Sequence, residues 1–460
     1  MLLRLAAGAC SLQPASSREQ AVATATFDAA SRLSLHPLTI RQEDGEFIVG
    51  RLETGTFISL PEIGVRALEI LREGKTLKEA EASLTGEDGS TVDLQVFASD
   101  LLNLGFIAAV NGHPAPSPGA APSHLRWLQP WHVRWLFSWP IAGLFCALLA
   151  AAVVTVILHP DLLPRPSDFF WSPLLSLVMA VNLVLGTFHV VIHEIAHLLA
   201  ARAEGIPAHI RPGTRLHYLV LQTDVSGAWA LPRSARYRIY LAGILWDLLV
   251  FSLLILAMAY AGLPPTGQAL LATWVLFISF GLLGELSFYM RTDIYFVFLD
   301  LLHSRNLFKD AQHLLRYWSW RVVHGLRPRR GDVLPHPLHA LSASERRKVA
   351  FYAILLIVGT TIALGRYLFF GIPILFQLIS QSVEGLVGAV RTGDILRFLD
   401  AGFALLALVG AEAAFVVVFL RSRRGSLALA FHKARRKLSF RPSLRSTSPQ
   451  SPSPPQTLGS

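Results

Sequence analysis

Three residues within five positions are set for metal chemistry: His193, Glu194 and His197, in the run GTFHVVIHEIAHLLAAR. On a helix, residues four apart differ by roughly 40° in azimuth and 6 Å in height. Two imidazoles so spaced reach one Zn²⁺ from a single face, and the glutamate beside the first is placed to take a proton from an attacking water. In a soluble helix the same short pattern can be two solvated histidines. Here the helix is apolar over its length. An ionisable side chain at the centre of a membrane helix costs roughly 2.5–3.5 kcal/mol, whereas a structural zinc site returns about 10–16 kcal/mol at neutral pH. The other reading is a hydrogen-bonded polar cluster inside a bundle. His189 lies one turn earlier on the same face. It is a fourth ligand, an outer partner of the ligands or a packing residue, and the latter two are favoured because a catalytic zinc keeps one position open.

A third protein ligand is needed. Only Cys10 and Cys146 are present, so the ligands are His, Asp or Glu. The acids in or beside apolar runs are Asp247, Glu285, Asp293 and Glu412. Asp293 has a compatible depth if the fourth apolar helix continues past Arg291. Asp247 and Glu285 are alternatives, each also readable as a hydrogen-bonding group inside the bundle.

The elements that carry these residues are membrane helices. Of 460 residues only 16% are charged, against about 25% in soluble chains. Six apolar runs approach the roughly 20 residues needed to cross hydrocarbon: about 135–158, 173–201, 239–262, 268–289, 349–370 and 398–420. IPILFQLIS, after Gly371, prolongs the fifth run or lies at the interface. Arg202, Arg211, Arg215, Arg233, Arg236 and Arg238 fill the second connection, and Arg291 to Lys348 is densely basic, whereas the alternate connections carry few cations. This alternation predicts a multi-pass protein of the cell membrane with both termini cytoplasmic.

Flanking regions are of other kinds. Residues 1–32 read as a disordered leader. LTIRQEDGEFIVGRLETGTFISL alternates apolar and polar residues around turns at Asp44-Gly45 and Thr54-Gly55, and amphipathic helices follow in PEIGVRALEILREGKTLKEAEASL and VDLQVFASDLLNLGFI. Residues 33–112 are thus expected to form a small α+β, winged-helix-like domain, with 113–130 a Pro-, Ala- and Ser-rich linker and 131–420 the membrane domain. The expected fold class is predominantly α, a polytopic bundle with this small domain in front. The tail, 421–460, has nine Lys or Arg and no acid. Next to a span and without interleaved aromatics, it reads as facing anionic lipid rather than nucleic acid.

Between the second and third runs, RLHYLVLQTDVSGAW alternates like a strand. Leu219, Val220, Leu221 and Asp224 could pair with an extended substrate by β-addition, or the segment caps the bundle. Asp224 and Trp229 could equally be structural.

The chain resembles the site-2 protease family of membrane metalloproteases in HEIAHLLAAR, TDVSGAWALPRSARYRIYLAG and FYMRTDIYFVFLDLLHSRNLF, over about residues 173–310. That resemblance implies His193, His197 and Asp293 as ligands of one Zn²⁺ and Glu194 as the base. The family's Asn-Pro before the Asp is Ser287-Phe288 here, and the Gly after it is Ile294. The N-terminal domain resembles the PqqD-like fold in its strand–hairpin–helix order and in GRLETGTFISLPEIGVRALEIL, which implies capture of a leader peptide. The expectation is a zinc endopeptidase acting on a membrane-associated or leader-bearing peptide. The rivals are a non-proteolytic scaffold that binds, exports or gives immunity to a modified peptide, and a metal transporter using His189, His193 and Glu194.

Overall fold

The computed structural model describes residues 27–84, 93–120, 122–215, 218–303, 307–326, 336–339 and 341–411, together with 413–414, 416–417 and 420. The expected leader (apart from its last residues), Glu412 and the basic tail lie outside them. The chain divides into two compact units, Met1–Leu405 and Leu406–Ser460. Described residues of the second unit are helical.

The first unit begins with a water-type domain. Strands β1 (Leu33–Leu35), β2 (Thr39–Glu43), β3 (Glu46–Arg51) and β4 (Thr56–Leu60) are followed by helices α1 (Glu62–Arg72), α2 (Leu77–Leu84) and α3 (Leu94–Asn103), then β5 (Ile107–Val110) and β6 (His113–Pro114). β2, β3 and β4 form an antiparallel meander, and β5 pairs with both β1 and β6. The two turns fall where the sequence puts them. Asp44 and Gly45 both take positive φ, 55° and 79°, the backbone of a tight hairpin turn, which Asp-Gly tolerates well. Val49, Ile58, Leu68, Leu71, Leu101 and Phe106 close a single apolar core. The expected linker is tied down: Arg51 donates to Gly105 O and to Ser117 Oγ at 2.6 Å.

After a short turn of helix α4 (Pro130–Val133) come four long apolar helices: α5 (Trp139–Leu158), α6 (Leu175–Ala203), α7 (Arg233–Tyr260) and α8 (Pro265–Glu285). Strands β7 (His209–Arg215) and β8 (Tyr218–Asp224) form an antiparallel hairpin between α6 and α7. Helices α9 (Asp293–Leu301), α10 (Leu307–Leu326), α11 (Ala343–Arg366) and α12 (Ile372–Thr392) complete the set, the last two joined without a break by a π turn over Tyr367–Gly371. α7 is the central helix, packed against α5, α6, α8 and α9.

The protein is mostly helical, and among the described residues five helices are long and apolar enough to cross a membrane. The sixth expected span, Phe398–Leu420, falls partly outside the described residues. The fifth run takes the first of its two expected courses. The segment after Gly371 continues the helix, giving 50 unbroken residues, about 75 Å of helix against roughly 30 Å of hydrocarbon. Much of it therefore extends beyond a single span. The fourth differs from expectation. α8 stops at Glu285, a 3-10 turn covers Phe288–Met290, and Arg291 takes the left-handed conformation at φ 54° before α9 begins. Asp293 is thus the first residue of a new helix, not the end of an old one.

Candidate metal centre

α6 presents His189, His193 and His197 along one face, buried or nearly so. Nε2 of His193 and Nε2 of His197 stand 3.2 Å apart. Asp293 Oδ2 lies 3.3 Å from the first and 2.7 Å from the second. Ligands held at about 2.0–2.1 Å around a tetrahedral ion are separated by roughly 3.3–3.4 Å. Two of the three separations match that spacing, and the third, at 2.7 Å, needs to open by roughly 0.6–0.7 Å.

The far side of each ring fixes its orientation. His197 Nδ1 is 2.7 Å from the carbonyl of Ile239 on α7, which can only accept, so this nitrogen carries the hydrogen. His193 Nδ1 is 2.9 Å from Asp247 Oδ2, with the same consequence when the carboxylate is ionised. In neutral rings both Nε2 atoms then present lone pairs, and they converge with a carboxylate oxygen. Three electron-pair donors face one point, which is the donor set that holds a cation. Outer partners of this kind orient metal-ligating histidines. Asp247 Oδ1 has His189 Nε2 at 3.4 Å, outside hydrogen-bond alignment.

The gap beside the two imidazoles comes from a glycine. A Cβ on Gly243 of α7 would stand 2.3 Å from His193 Nε2 and 2.5 Å from His197 Nε2. Only a residue without a side chain lets α7 approach the two imidazoles while leaving the gap between them.

Asp293 is delivered by the break in the helix after α8. Glu285 braces that break: its Oε2 accepts from the backbone N of Asp293 at 2.9 Å, and its carbonyl accepts from Thr292 Oγ1 at 2.5 Å. The Arg291 guanidinium lies 4.6 Å from the centre of the Phe308 ring. Of the acids weighed from sequence, Asp293 faces the imidazole Nε2 atoms, Asp247 backs His193 and Glu285 clamps the loop. Glu412 lies outside the described residues.

Glu194 is held from the hairpin. Thr223 Oγ1 on β8 donates to Glu194 Oε2 at 2.7 Å and stands 3.0 Å from its carbonyl. Strand alternation turns the next side chain away. Asp224 instead accepts from Ser226 N at 3.0 Å and Ser226 Oγ at 2.6 Å, and pairs with Arg211 at 3.5 Å. Leu219, Val220 and Leu221 pair with Thr214, Gly213 and Pro212 of β7. Among the described residues β8 pairs with no other strand. Trp229 lies under the Arg236 guanidinium, 5.2 Å from its ring centre.

Gly243, Thr223 and the Ile239 carbonyl were not legible as site groups. Gly243 did leave a signal, an isolated glycine inside an apolar helix, which suggests close backbone approach. Thr223 left none beyond its place in an alternating strand. Compared with protein-family models, with curated proteins and with solved structures, the chain has no match.

Proposed function

We propose that the protein is a zinc-dependent membrane endopeptidase in which His193, His197 and Asp293 hold one Zn²⁺ and Glu194 is the base. The observation that carries this reading is the convergence of three lone-pair donors, each ring backed by an acceptor, on a gap that a Cβ at Gly243 would fill. The likeness of HEIAHLLAAR and the later Asp293 segment to site-2 proteases supports it.

When bound, zinc supplies Lewis-acid chemistry, polarising a carbonyl and making water nucleophilic at neutral pH. The chain's own groups do the rest. Thr223 engages Glu194 Oε2 and leaves Oε1 as the proton acceptor. Glu194 takes a proton from the attacking water and returns it to the leaving nitrogen. Asp247 and the Ile239 carbonyl keep the Nε2 atoms aimed at the gap through both transfers. The substrate enters extended, because a peptide bond inside a helix has its backbone groups paired, and β8 offers Leu219 to Leu221 as a strand beside Glu194.

The substrate is a membrane-associated or leader-bearing peptide, with the N-terminal domain, winged-helix-like and similar to the PqqD fold, as its receptor. The protein sits in the cell membrane with both termini cytoplasmic. The test is zinc content and peptide cleavage by the purified full chain and by Glu194→Gln. Near-stoichiometric zinc in both, with cleavage only by the wild type, is expected. A wild-type chain that carries no zinc, or a Glu194→Gln variant that cleaves as fast, would overturn the reading.

A further inference from the structure

The N-terminal domain touches the membrane domain at its β3–β4 turn, where Leu52 packs on the cluster around Ile206, Ala228 and Ile239, and at its acidic β2–β3 hairpin turn. Glu43 and Asp44, at the β2–β3 turn, meet Arg233, Arg236 and His303. Arg233 pairs with both acids, and with Asp44 at very short range. Arg236 is the unusual member. Its guanidinium is fully buried, and nearly all of its donors are used. Nε donates to Asp300 Oδ2 at 2.6 Å, Nη2 to Glu43 Oε1 at 2.6 Å, and Nη1 to Glu43 Oε2 at 3.1 Å and to Leu231 O at 3.3 Å. One side chain thus binds the N-terminal domain and α9 at once.

The two helices it joins are the two that complete the metal centre. On α7, Arg236, Ile239, Gly243 and Asp247 recur at helical spacing and share a face. That face carries, in order, the domain anchor, the acceptor for His197, the gap for the ion and the acceptor for His193. On α9, Asp293 and Asp300 are seven residues apart and also share a face. Arg236 to Gly243 and Asp300 to Asp293 each span about 10 Å of helix. α7 and α9 are therefore linked at two levels. One runs through the α6 imidazoles, which meet Asp247 and the Ile239 carbonyl on one side and Asp293 on the other, and the other is the Arg236–Asp300 pair that Glu43 completes.

Resting on the zinc reading above, we infer that Arg236 is a positioning residue that makes the register of α9 against α7, and so the placing of Asp293 on the two histidines, depend on the docked N-terminal domain. Glu43 helps to neutralise a guanidinium that is fully buried. Without that carboxylate both terminal nitrogens lose their strongest partners. A buried charge stripped of a partner is strongly unfavourable where it stands, so the end of α7 must shift toward solvent. Metal–ligand distances normally lie within about 0.2 Å of their ordinary values, so a displaced Asp293 would bind the ion less well. Only about 10 Å of helix separates the domain contact from the candidate metal site on both α7 and α9.

The experiment uses the full chain in lipid nanodiscs with Co²⁺ as the probe. Its affinity is measured, and its visible absorption reports ligand geometry. Wild type, Glu43→Gln, Asp300→Asn and Asp44→Asn are compared, with His193→Ala as the reference for a lost site. Glu43→Gln and Asp300→Asn are expected to weaken Co²⁺ by about 3–30-fold and to change its absorption band. Asp44→Asn disturbs the same domain contact through Arg233 and His303 but not Arg236, and is expected to stay within twofold of wild type. Hydrogen exchange in β2 to β4 checks that the domain stays folded in each variant. Wild-type affinity and spectrum in Glu43→Gln would overturn the coupling while leaving the metal centre standing, as would an equal loss in Asp44→Asn. Failure of the wild type itself to bind Co²⁺ would overturn the zinc reading and the coupling with it.

Discussion

The N-terminal domain and the helices behind it are built inside out relative to one another. In the domain, Leu68, Leu71, Leu101 and Phe106 are sealed in the core. In the long helices, Leu183 and Val184 on α6 are 71% and 68% exposed, while Asn182, His197, Asp247, Ser252 and Thr273 are buried. Water drives the first arrangement by expelling apolar surface. Lipid gives no such drive, so the bundle hides its polar groups and must satisfy them internally. The contrast locates the chemistry. In the domain the buried Arg51 is tied to a backbone carbonyl and a hydroxyl, whereas in the bundle a set of buried ionisable groups on facing helices marks a candidate site.

Substituting in each region sharpens or breaks this contrast, beginning where the effect is largest. Gly243→Val puts carbon into the gap between His193 and His197. Alanine or valine is a better helix residue than glycine, so the helix itself should be kept, yet zinc retention is expected to fall by at least about 100-fold. Equilibrium dialysis against a zinc buffer measures it, and a variant that keeps its zinc would remove the glycine from the site. Leu68→Ala in the domain core should cost about 2–5 kcal/mol, read by thermal or denaturant unfolding of the full chain. Asp247→Asn removes the charged acceptor behind His193 and should weaken zinc about 10–100-fold. An unchanged affinity would make Asp247 a packing residue only.

Acid should act on the domain contact before it acts on the fold. Burial opposes ionisation of Glu43, but hydrogen bonds and charge from Arg236, with Arg233 and Arg41, hold its carboxyl below the usual range. Asp44, Asp300 and His303 also face this cluster. A depressed carboxyl stabilises docking fully above its free value, near pH 4.5, and the contribution drains away as pH falls through the lower docked value. Hydrogen exchange at the β2–β3 turn should therefore stay protected at pH 5 and above and lose protection below pH 4.5. Protection lost already at pH 6 would mean that another group governs the contact. The smallest effect belongs to Leu183→Ala. The same truncation made at Leu68 should here change stability by less than about 0.5 kcal/mol, because lipid fills the space. Equal costs at the two leucines would refute the inside-out description.

Much of this was legible in local patterns. Runs of apolar residues marked the long helices, and Asp-Gly with alternating neighbours marked the β2–β3 hairpin. The His-Glu-x-x-His spacing placed two imidazoles on one face, because helix geometry is closed by hydrogen bonds only four residues long. Those local periods fix which side chains stand together within an element. They say nothing of which acid, out of Asp247, Glu285 and Asp293, comes to face His193 and His197 from a different helix. That choice required α8 to stop at Glu285, Arg291 to turn left-handed and α9 to start at Asp293. It also required Gly243 to let α7 close on α6, Thr223 to reach Glu194 from β8, and Glu43 to meet Arg236 across 193 residues of chain. Sequence alone determined the elements and the paired histidines. Resemblance pointed to Asp293, but tertiary packing decided which acid faces the two imidazoles, the gap beside Gly243 and the link to the N-terminal domain, since these depend on distances between elements that no period within one element encodes.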